Sequence, residues 1–476
     1  MTVELTGETL TLEEVVRVAR SGERVVMSVE ATERMRDRRE IVEEAAGEGT
    51  RVYGLTTGVG MRRGATVGAD EAAVFNRSAI GGHRVGLGPP LPSDVVRAAM
   101  LCTANGLAAG FPGVRPEVAL AVLDALNAGA APPVRSLGSV GQSDLAQNAD
   151  LAAAVHGDLP LEAGEALALL NSNAFSTGQA TLAVADLRSL LEWCDIAAAL
   201  DYEAFRANVG ALHEAVGEAR PFPGVRETLT RMRSLLEGSA LWEPGSARFH
   251  QDPLTFRCLP QVHGAARDAL RFVEEQLRVE LNAHQGNPLV IPGERAVVSV
   301  GNFDSLPLAT ALDLARIALA PVVTSAVERA LKLLSPPFSG LTEGLAEREG
   351  TWEDGLSELG VAAQAIAAEA RLLAQPVSFE LVSTMQESGV EDRAALSSLG
   401  GRRLSEMVAL TRRVVAVELV VAAQAIDLRE PTPLGVGAES ARAFVRDRVS
   451  FLSSAADMPL PLEELAGDLG AQAAPA

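Results

Sequence analysis

Tyr53 lies in a glycine-rich segment that could carry chemistry. Three glycines fall within the eight residues 53–60 (YGLTTGVG), so the backbone here is flexible and open. Tyr53 is one of only two tyrosines in the chain, and a phenol on a loop can act as an acid or a base. The alternative is a turn with a packed tyrosine. A phosphate-binding loop is excluded, because the segment lacks the lysine and the helix start that such loops need.

Two further segments interrupt an otherwise helical pattern. Residues 138–150 (GSVGQSDLAQNAD) form a glycine-rich turn that leads into a helix, and residues 251–264 (QDPLTFRCLPQVHG) precede a long helix. Arg257, in the second of these segments, has a planar guanidinium that can bind a carboxylate through two hydrogen bonds. It is equally suited to pair on the surface with one of the 62 acidic residues.

Long helices must position these segments. From residue 93 onward, apolar residues recur at three- and four-residue spacing, which predicts amphipathic or buried helices. Ser93 is expected to cap the first of them, and Gly110 is expected to end it. Pro116 suits the first turn of the next helix. The longest predicted helices cover residues 161–208, 263–284, 304–334, 353–375 and 401–428.

The chain before residue 93 follows a different pattern, with short β-branched runs broken by glycines. We therefore predict two regions, a small mixed N-terminal region at 1–92 that carries the Tyr53 loop and a helical body at 93–476. Aromatic residues make up only 4% of the chain, so Ala, Leu and Val must fill the core, which favours close-packed helices. The expected fold class is mainly α, built on a bundle of long helices.

Charge and composition limit the partners and the compartment. The net charge of −21 argues against nucleic acid and anionic membranes, and a small molecule is the expected partner. The three cysteines are far apart and odd in number, which argues against disulfides and a structural zinc site and favours a reducing cytoplasm. The N-terminus has no apolar signal region. The apolar stretch 317–327 is too short to span a bilayer.

Eight segments together resemble the histidine and phenylalanine ammonia-lyase family. They occur in the order that the family shows and span nearly the whole chain. They are YGLTTGVG (53–60), HRVGLGPPL (83–91), GSVG (138–141), ALALLN (166–171), QDPLTFRCLPQVHG (251–264), NPLVIP (287–292), GNF (301–303) and RVVAVELVVAAQAIDLR (413–429).

The resemblance implies a mainly α-helical homotetramer of the ammonia-lyase type, whose active sites are built from several subunits. The family eliminates ammonia from aromatic α-amino acids with an electrophile, methylidene-imidazolone (MIO), which forms from an internal Ala-Ser-Gly. This chain departs from that pattern. Gln142, Ser143 and Asp144 follow the GSVG segment, one residue short and without the glycine.

Cyclisation to MIO needs the amide of that glycine to attack a carbonyl through a very tight turn, which a residue with a Cβ resists. We therefore expect no MIO, no other cofactor and no metal. Two more positions differ from the family, since Leu254 replaces a tyrosine and Asp304 replaces a histidine. Ordinary ammonia-lyase activity is accordingly doubtful.

Other site positions match the family. The resemblance assigns Tyr53 as the base that removes the β-proton and Arg257 as the group that binds the substrate carboxylate. It places Asn171, with Asn287 and Gln251, among the polar residues that line the pocket.

Two assignments concern the substrate ring. His83 aligns with the position that selects an imidazole or a similarly polar ring, and its alternative is a histidine packed in a loop. The family glutamate that contacts the ring aligns with Glu391 when residues are counted back from Arg402, or with Glu387 when the Gln-Glu dipeptide is matched. Glu391 is preferred, and either carboxylate could bind the ring or carry a proton.

The leading hypothesis is a lyase without MIO in which Tyr53 is the base. The substrate must then bring its own leaving group, for example the quaternary ammonium of a histidine betaine. The ordinary pKa of tyrosine, near 10, would have to be lowered by donors or positive charge. Two alternatives stay open, an isomerase or cyclase in a biosynthetic pathway and a catalytically silent paralogue that only binds a ligand.

Overall fold

The computed structural model describes residues 2–157, 159–348, 350, 352–379 and 389–472. Helices account for most of this part of the chain, as expected. The first ten are α1 (Leu12–Ser21), α2 (Val29–Gly47), α3 (Ala72–His83), α4 (Ser93–Ala108), α5 (Pro116–Asn127), α6 (Leu145–Val155), α7 (Glu165–Leu170), α8 (Ala174–Phe205), α9 (Glu214–Ala219) and α10 (Pro223–Leu235). They are followed by α11 (Leu254–Arg257), α12 (Leu259–Glu280), α13 (Leu306–Leu334), α14 (Pro336–Ser339), α15 (Ser357–Leu372), α16 (Ser397–Asp427), α17 (Val436–Arg446) and α18 (Leu462–Ala471).

The strands of the described residues are short and form two-stranded sheets. β1 (Thr2–Leu5) and β2 (Arg24–Met27) pair in parallel, with Thr2 opposite Arg24. β3 (Leu87–Pro90) pairs antiparallel with β4 (Arg135–Leu137), and β5 (Leu289–Ile291) pairs antiparallel with β6 (Ala296–Val298). The mainly α fold class is confirmed.

The chain divides into two compact units. The first unit comprises Met1–Ala185, Val273–Asp313 and Pro376–Arg402, and the second comprises Asp186–Phe272, Leu314–Gln375 and Arg403–Ala476. Residues 1–92 belong to the first unit together with many residues of the predicted helical body, so the two units do not follow the division at residue 92.

Most of the long helices lie close to their predicted positions, and the run 161–208 is the main exception. It is two helices, because α7 ends at Leu170 and α8 begins at Ala174. Asn171 leaves the helical conformation, with φ −92° and ψ 70°. Asparagine side chains compete for backbone hydrogen bonds, which favours such breaks. The break puts Asn171 on a short connection that a continuous helix would not offer.

The ends of α4 confirm one prediction and correct another. Gly110 follows the helix with a φ of +81°, and its amide donates to the Leu107 carbonyl at 2.8 Å, as expected of a glycine after a helix end. Ser93 is the first residue of the helix rather than its cap. Pro92 occupies the capping position and has no side-chain oxygen to accept a hydrogen bond.

The core of the first unit is aliphatic. Leu12, Val15 and Val18 form the buried face of α1, a helix that begins with a reciprocal pair of hydrogen bonds between Thr11 and Glu14. The α4 residues Met100 and Leu101 belong to the same buried cluster as Val15 and Val18. These contacts fix the helices from which the pocket residues project.

The second unit concentrates aromatic residues and buried charge. Phe205 stacks on Phe256 with ring centroids 4.3 Å apart, and the Tyr202 hydroxyl donates to the Phe256 carbonyl at 2.7 Å. Tyr202, the other tyrosine of the chain, is therefore a structural residue.

α13 is long and apolar enough to cross a membrane by length and composition alone. It nevertheless carries Arg329, which is fully buried and paired with Asp201 and Glu418 of the same unit. A buried ion pair of this kind is typical of a helix inside a folded domain.

Candidate active site

A pocket in the first unit contains several of the residues predicted to do chemistry. Its polar lining includes Tyr53, Asn171, Asn287 and His284, and the rest is mainly small and aliphatic. No Asp, Glu, Lys or Arg of the described chain lines this pocket. A small, partly apolar ligand would therefore be recognised here by neutral donors and acceptors.

Tyr53 is held at the pocket by its own loop. The backbone amide of Gly60 donates to the Tyr53 hydroxyl oxygen at 3.0 Å. The tyrosine is half-buried, while its neighbours Val52 and Leu55 are buried and fix the loop. An N–H donated to a phenol oxygen stabilises the negative charge that develops when the phenol loses its proton.

Asn171 connects three segments of the first unit. Its Oδ1 accepts a hydrogen bond from the Ser143 hydroxyl, and its Nδ2 donates to the Asn287 carbonyl at 2.8 Å. The break between α7 and α8 makes this possible, because the side chain projects from a connection rather than from a helix surface. The structure thus brings together Ser143, Asn171 and Asn287.

Asn287 is itself fixed by the strands that follow it. Its Oδ1 accepts from the Val300 amide at 2.8 Å and from the Ser299 hydroxyl at 3.2 Å. The orientation of its amide group is therefore set before any ligand binds.

Ser143 and Asp144 lie in the turn where the resemblance implies the ring-forming residues of the family. Ser143 is buried and has a φ of +61°, which is unusual for a residue with a Cβ. The backbone amide of Asp144 donates to the Ser172 carbonyl at 2.9 Å. The amide that directly follows the serine is thus already hydrogen-bonded to a residue outside the 138–144 turn.

The Asp144 carboxyl group anchors this turn to the start of α8. It accepts from the Ser139 hydroxyl at 2.6 Å and from both the amide and the hydroxyl of Ser176 at 2.7 Å. Burial raises the pKa of this carboxyl, although the three donors act in the opposite direction. The contacts of this carboxyl group indicate that it holds the 138–144 turn in position against α8.

Gln142 and Asp304 lie opposite each other in an isolated antiparallel bridge. The Asp304 carboxylate pairs with Arg393 at 2.9 Å. At the position where the family has a histidine, this chain therefore has one half of an ion pair.

His284 also lines the pocket, and the sequence analysis did not select it. Its Nε2 lies 3.2 Å from the Pro288 carbonyl, which requires the proton on Nε2 in the neutral ring. Burial lowers the pKa of His284 to about 4, so the ring is neutral at pH 7. Nδ1 then carries a lone pair that can accept a hydrogen bond.

Cys102 is the one cysteine at the pocket within the described residues. Burial raises the pKa of its thiol to about 12, so it is not a thiolate nucleophile at neutral pH. The described residues include no cluster of three or more His, Cys, Asp or Glu that could hold a metal ion.

His83 and Glu391 lie elsewhere in the first unit. His83 is the last residue of α3, half-buried, with Nδ1 2.7 Å from the Ala79 carbonyl. Glu391 is half-buried in the connection before α16. Neither is among the residues that line the pocket. Glu387, the other glutamate considered, lies outside the described residues.

Gln251 and Arg257 belong to the second unit. Gln251 is exposed and Arg257 is half-buried. Arg257 donates from Nε to the Asp252 carbonyl at 2.7 Å, which leaves the two terminal nitrogens of the guanidinium to face a ligand. Leu254 is 61% exposed, so it offers an apolar surface where the family has a phenol.

Comparison with known proteins decides the family. The sequence profile of the aromatic amino acid lyases matches residues 10–160 and 158–447. The chain belongs to the aromatic amino acid lyase family. The resemblance given by the eight segments is thereby confirmed. A histidine ammonia-lyase from Symbiobacterium thermophilum is 36% identical over 489 residues, which cover 98% of this chain and 96% of that one.

Solved structures of this lyase family match the whole fold. Ergothionase from Treponema denticola, an ergothioneine-degrading enzyme solved with desmethyl-ergothioneine sulfonic acid, superposes with a TM-score of 0.91 at 27% identity, covering 99% of this chain and 98% of that one. Tyrosine aminomutase from Streptomyces globisporus has a TM-score of 0.92 at 27% identity, covering 99% and 97%. The ammonia-lyase fold expected from the sequence is confirmed.

Proposed function

We propose that this member of the aromatic amino acid lyase family is a lyase that works without MIO. Its substrate is a small carboxylate that carries a polar aromatic ring, such as imidazole, and a leaving group that is already activated. It requires no metal and no separate cofactor. The unpaired cysteines, of which Cys102 and Cys194 are buried, fit a reducing cytoplasm as its compartment.

The Asp144 amide is the observation that carries this proposal. MIO formation needs the amide after the serine to attack the carbonyl two residues back, but the Asp144 amide donates to the Ser172 carbonyl at 2.9 Å. The Ser143 hydroxyl, which would have to leave as water, is bonded to Asn171. The Asp144 carboxyl also anchors the turn to α8, so Gln142, Ser143 and Asp144 do not fit the ring-forming triad.

Tyr53 is the proposed base. Its phenolate takes the β-proton of the substrate, and the electrons of that C–H bond form a double bond between Cα and Cβ. The Cα–N bond breaks, and a quaternary ammonium leaves as a neutral tertiary amine with the bonding pair. The Gly60 amide at 3.0 Å stabilises the phenolate before the reaction.

The uncharged pocket explains the need for Arg257. An anionic substrate must meet a cation, and no Asp, Glu, Lys or Arg of the described chain lines the pocket around Tyr53. We propose that the protein is a homotetramer and that Gln251 and Arg257 of another copy complete each pocket. Arg257 then binds the carboxylate through its two terminal nitrogens.

Asn171, Asn287 and His284 orient the substrate through neutral hydrogen bonds. Asn171 stands beside the reacting centre in this proposal, with Asn287 fixing its amide at 2.8 Å. The neutral Nδ1 of His284 accepts a donor of the substrate. By the family assignment, His83 would set the preference for a polar ring, and Glu391, in preference to Glu387, would bind the ring or carry a proton, although neither lines the pocket around Tyr53 within one copy.

A substrate panel tests the reaction. The full-length protein is incubated with histidine, with its Nα,Nα,Nα-trimethyl betaine and with the matching acid that has no amino group. We expect trimethylamine and the unsaturated acid from the betaine and no ammonia from histidine. Ammonia release from histidine without turnover of the betaine would contradict the proposal.

A mixing experiment tests the shared site. Tyr53→Phe and Arg257→Ala are each expected to be inactive on the same substrate. If each pocket takes Tyr53 from one copy and Arg257 from another, subunits exchanged at equal amounts regain about a quarter of the wild-type activity, because a quarter of the pockets receive both residues. No recovery in mixed tetramers would show that one copy supplies both.

Isomerisation is a second candidate. The match to tyrosine aminomutase, at a TM-score of 0.92, supports it because that protein has the same fold and a name that denotes an isomerase. An amine that is re-added at Cβ, rather than released, is the product that would favour this alternative in the panel.

A further inference from the structure

Two arginines of the second unit, Arg248 and Arg429, contact one turn, and the charge of a third, Arg206, acts on Arg429. Arg429 follows α16, Arg206 follows α8, and Arg248 lies in the connection before α11. The turn is formed by Ser339 and Gly340 at the end of α14.

The contacts of the arginines define this cluster. Arg429 donates from Nε to the Ala204 carbonyl at 2.6 Å and from Nη2 to the Ser339 carbonyl at 2.7 Å. The guanidinium of Arg248 covers Gly340 so closely that a Cβ there would lie 2.0 Å from its Nη1. The Arg248 amide donates to the Arg206 carbonyl at 2.9 Å, and Arg206 donates from Nε to the Ser246 carbonyl at 3.2 Å.

No carboxylate of the described chain forms an ion pair with Arg206, Arg248 or Arg429. The neighbouring acids have other partners. Asp427 pairs with Arg442 at 2.7 Å and with Arg446 at 2.6 Å. In a protein with a net charge of −21, three arginines without an acid are unusual.

The electrostatics of the cluster agree with this geometry. Burial, followed by repulsion from Arg248 and Arg206, lowers the pKa of Arg429 to about 10. The side chain still carries its charge at neutral pH. A bound anion would offset the repulsion among the three guanidinium groups.

The N–H groups that the three arginines do not use within the described residues indicate which ligand would bind. Arg206 and Arg429 use their side chains on neutral carbonyls only, and the Arg248 side chain makes no hydrogen bond within the described residues. Several N–H groups on converging guanidinium forks suit a compact anion with more than one charge. A long polyanion such as nucleic acid would be repelled by the rest of the acidic surface.

We propose that Arg206, Arg248 and Arg429 form a binding site for a doubly charged tetrahedral oxyanion, either inorganic phosphate or the terminal phosphate of a metabolite. The site lies in the second unit and is built from residues that take no part in the proposed elimination. The occupancy of this site would depend on the concentration of a phosphate compound.

The test measures phosphate binding by calorimetry. The full-length protein is titrated with inorganic phosphate and with methyl phosphate at constant ionic strength in chloride buffer. Arg248→Gln removes one guanidinium. Arg220→Gln is the matched control, because Arg220 is also exposed, lies over a phenylalanine at 5.5 Å as Arg248 does at 5.3 Å, and has no ion pair in the described chain.

We expect phosphate to bind the wild type and Arg220→Gln equally, and to bind Arg248→Gln roughly tenfold to a hundredfold more weakly. Tighter binding of methyl phosphate would assign a metabolite, and tighter binding of inorganic phosphate would assign the free ion. Either result supports the site.

Three results would overturn the proposal. One is the absence of phosphate binding to the wild type, and another is equal binding to Arg248→Gln. The third is a loss of the oligomer in Arg248→Gln without any phosphate effect, since the arginines would then pair with carboxylates of another copy. Sedimentation in chloride buffer detects this last outcome.

Discussion

Around the pocket of the first unit, the polar side chains are neutral, whereas the core of the second unit buries charges in groups. Tyr53, Asn171 and His284 line this pocket with a hydroxyl, an amide and a neutral imidazole. In the second unit, Arg329 is fully buried between Asp201 and Glu418. The pocket thus presents neutral polar groups, whereas the core of the second unit pairs buried charges with one another.

The second unit matches its buried charges to each other. Burial and the nearby Glu418 raise the pKa of Asp201 well above its ordinary value, although the charge of Arg329 acts in the opposite direction. Burial would also raise the pKa of Asp195, but the hydrogen bond from His263 and the charge of Arg267 outweigh it and lower that pKa. These groups connect residues of different helices through buried ion pairs.

The uncharged lining of the pocket has a consequence for the proposed anionic substrate, which would need a cation from outside the pocket. A charge built into the first unit's pocket would be costly without a partner, as the pairing in the second unit illustrates. A neutral pocket avoids that cost, and in the proposed function Arg257 of another copy supplies the cation when the substrate is present. Paired charged groups thus stabilise the second unit, whereas neutral polar groups line the pocket of the first.

The largest expected effect is a loss of activity in Tyr53→Phe that Tyr202→Phe does not show. Tyr53→Phe should lower kcat by about 10²- to 10⁴-fold, because it removes the base but keeps the ring. Tyr202→Phe should change kcat little and lower stability instead, since that hydroxyl bonds to the Phe256 carbonyl. Steady-state rates on the betaine substrate and thermal melts measure both. Equal loss of activity in the two variants would remove the distinction between the regions.

Breaking a buried charge group should destabilise the second unit. Arg329→Met leaves two buried acids without their cation and should lower the free energy of unfolding by about 3–5 kcal/mol. Arg271→Met, on the surface, should cost less than about 1 kcal/mol although it also removes ion pairs. Urea unfolding of the two variants is the measurement. Similar losses in both would mean that burial does not govern these pairs.

His284 should make the first unit sensitive to mild acid. Its folded pKa of about 4 lies below the ordinary value of 6.5, so the unfolded chain binds the proton first as pH falls. Above pH 6.5 the ring is neutral in both states and the free energy of unfolding is unaffected. As the pH falls from 6.5 to 4, the free energy of unfolding decreases by about 3 kcal/mol. His284→Asn should flatten this part of the pH profile of stability, and the exposed His250→Asn should not. An unchanged slope in His284→Asn would contradict the assignment.

The smallest effect concerns the two glutamates before α16. If Glu391 carries a proton or binds the ring, Glu391→Gln should lower kcat/KM by roughly tenfold, and Glu387→Gln should leave it unchanged. The reverse pattern would assign Glu387. Rates of both variants across pH separate proton transfer from ring binding, because only proton transfer moves the pH optimum.

The fold was predictable because its signals are local. Apolar spacing gave α13, α15 and α16 to within a few residues. The break at Asn171 was not predicted, although Asn171, Ser172 and Asn173 are residue types that favour caps and turns over helix interiors. The break depends on hydrogen bonds from Ser143 and to Asn287, which come from distant parts of the chain.

The site was predictable mainly through the order of its motifs. Tyr53, Asn171 and Asn287, which the family resemblance assigns to the site, all line the pocket of the first unit. His284 was missed because a single histidine near the end of a helix is usually a packing residue. The signal available was its place, three residues before Asn287 in the NPLVIP motif. The hydrogen bond of the Asp144 amide could not be predicted, because the residue types of a turn do not indicate which carbonyl its backbone amides will bind.

The mass of the intact, full-length protein tests the central claim most directly. A lyase that works without MIO keeps Gln142, Ser143 and Asp144 as an ordinary chain, so the measured mass should equal that of the sequence. A deficit of two water molecules, mapped by peptide digestion to residues 138–144, would show that MIO forms and would contradict the account.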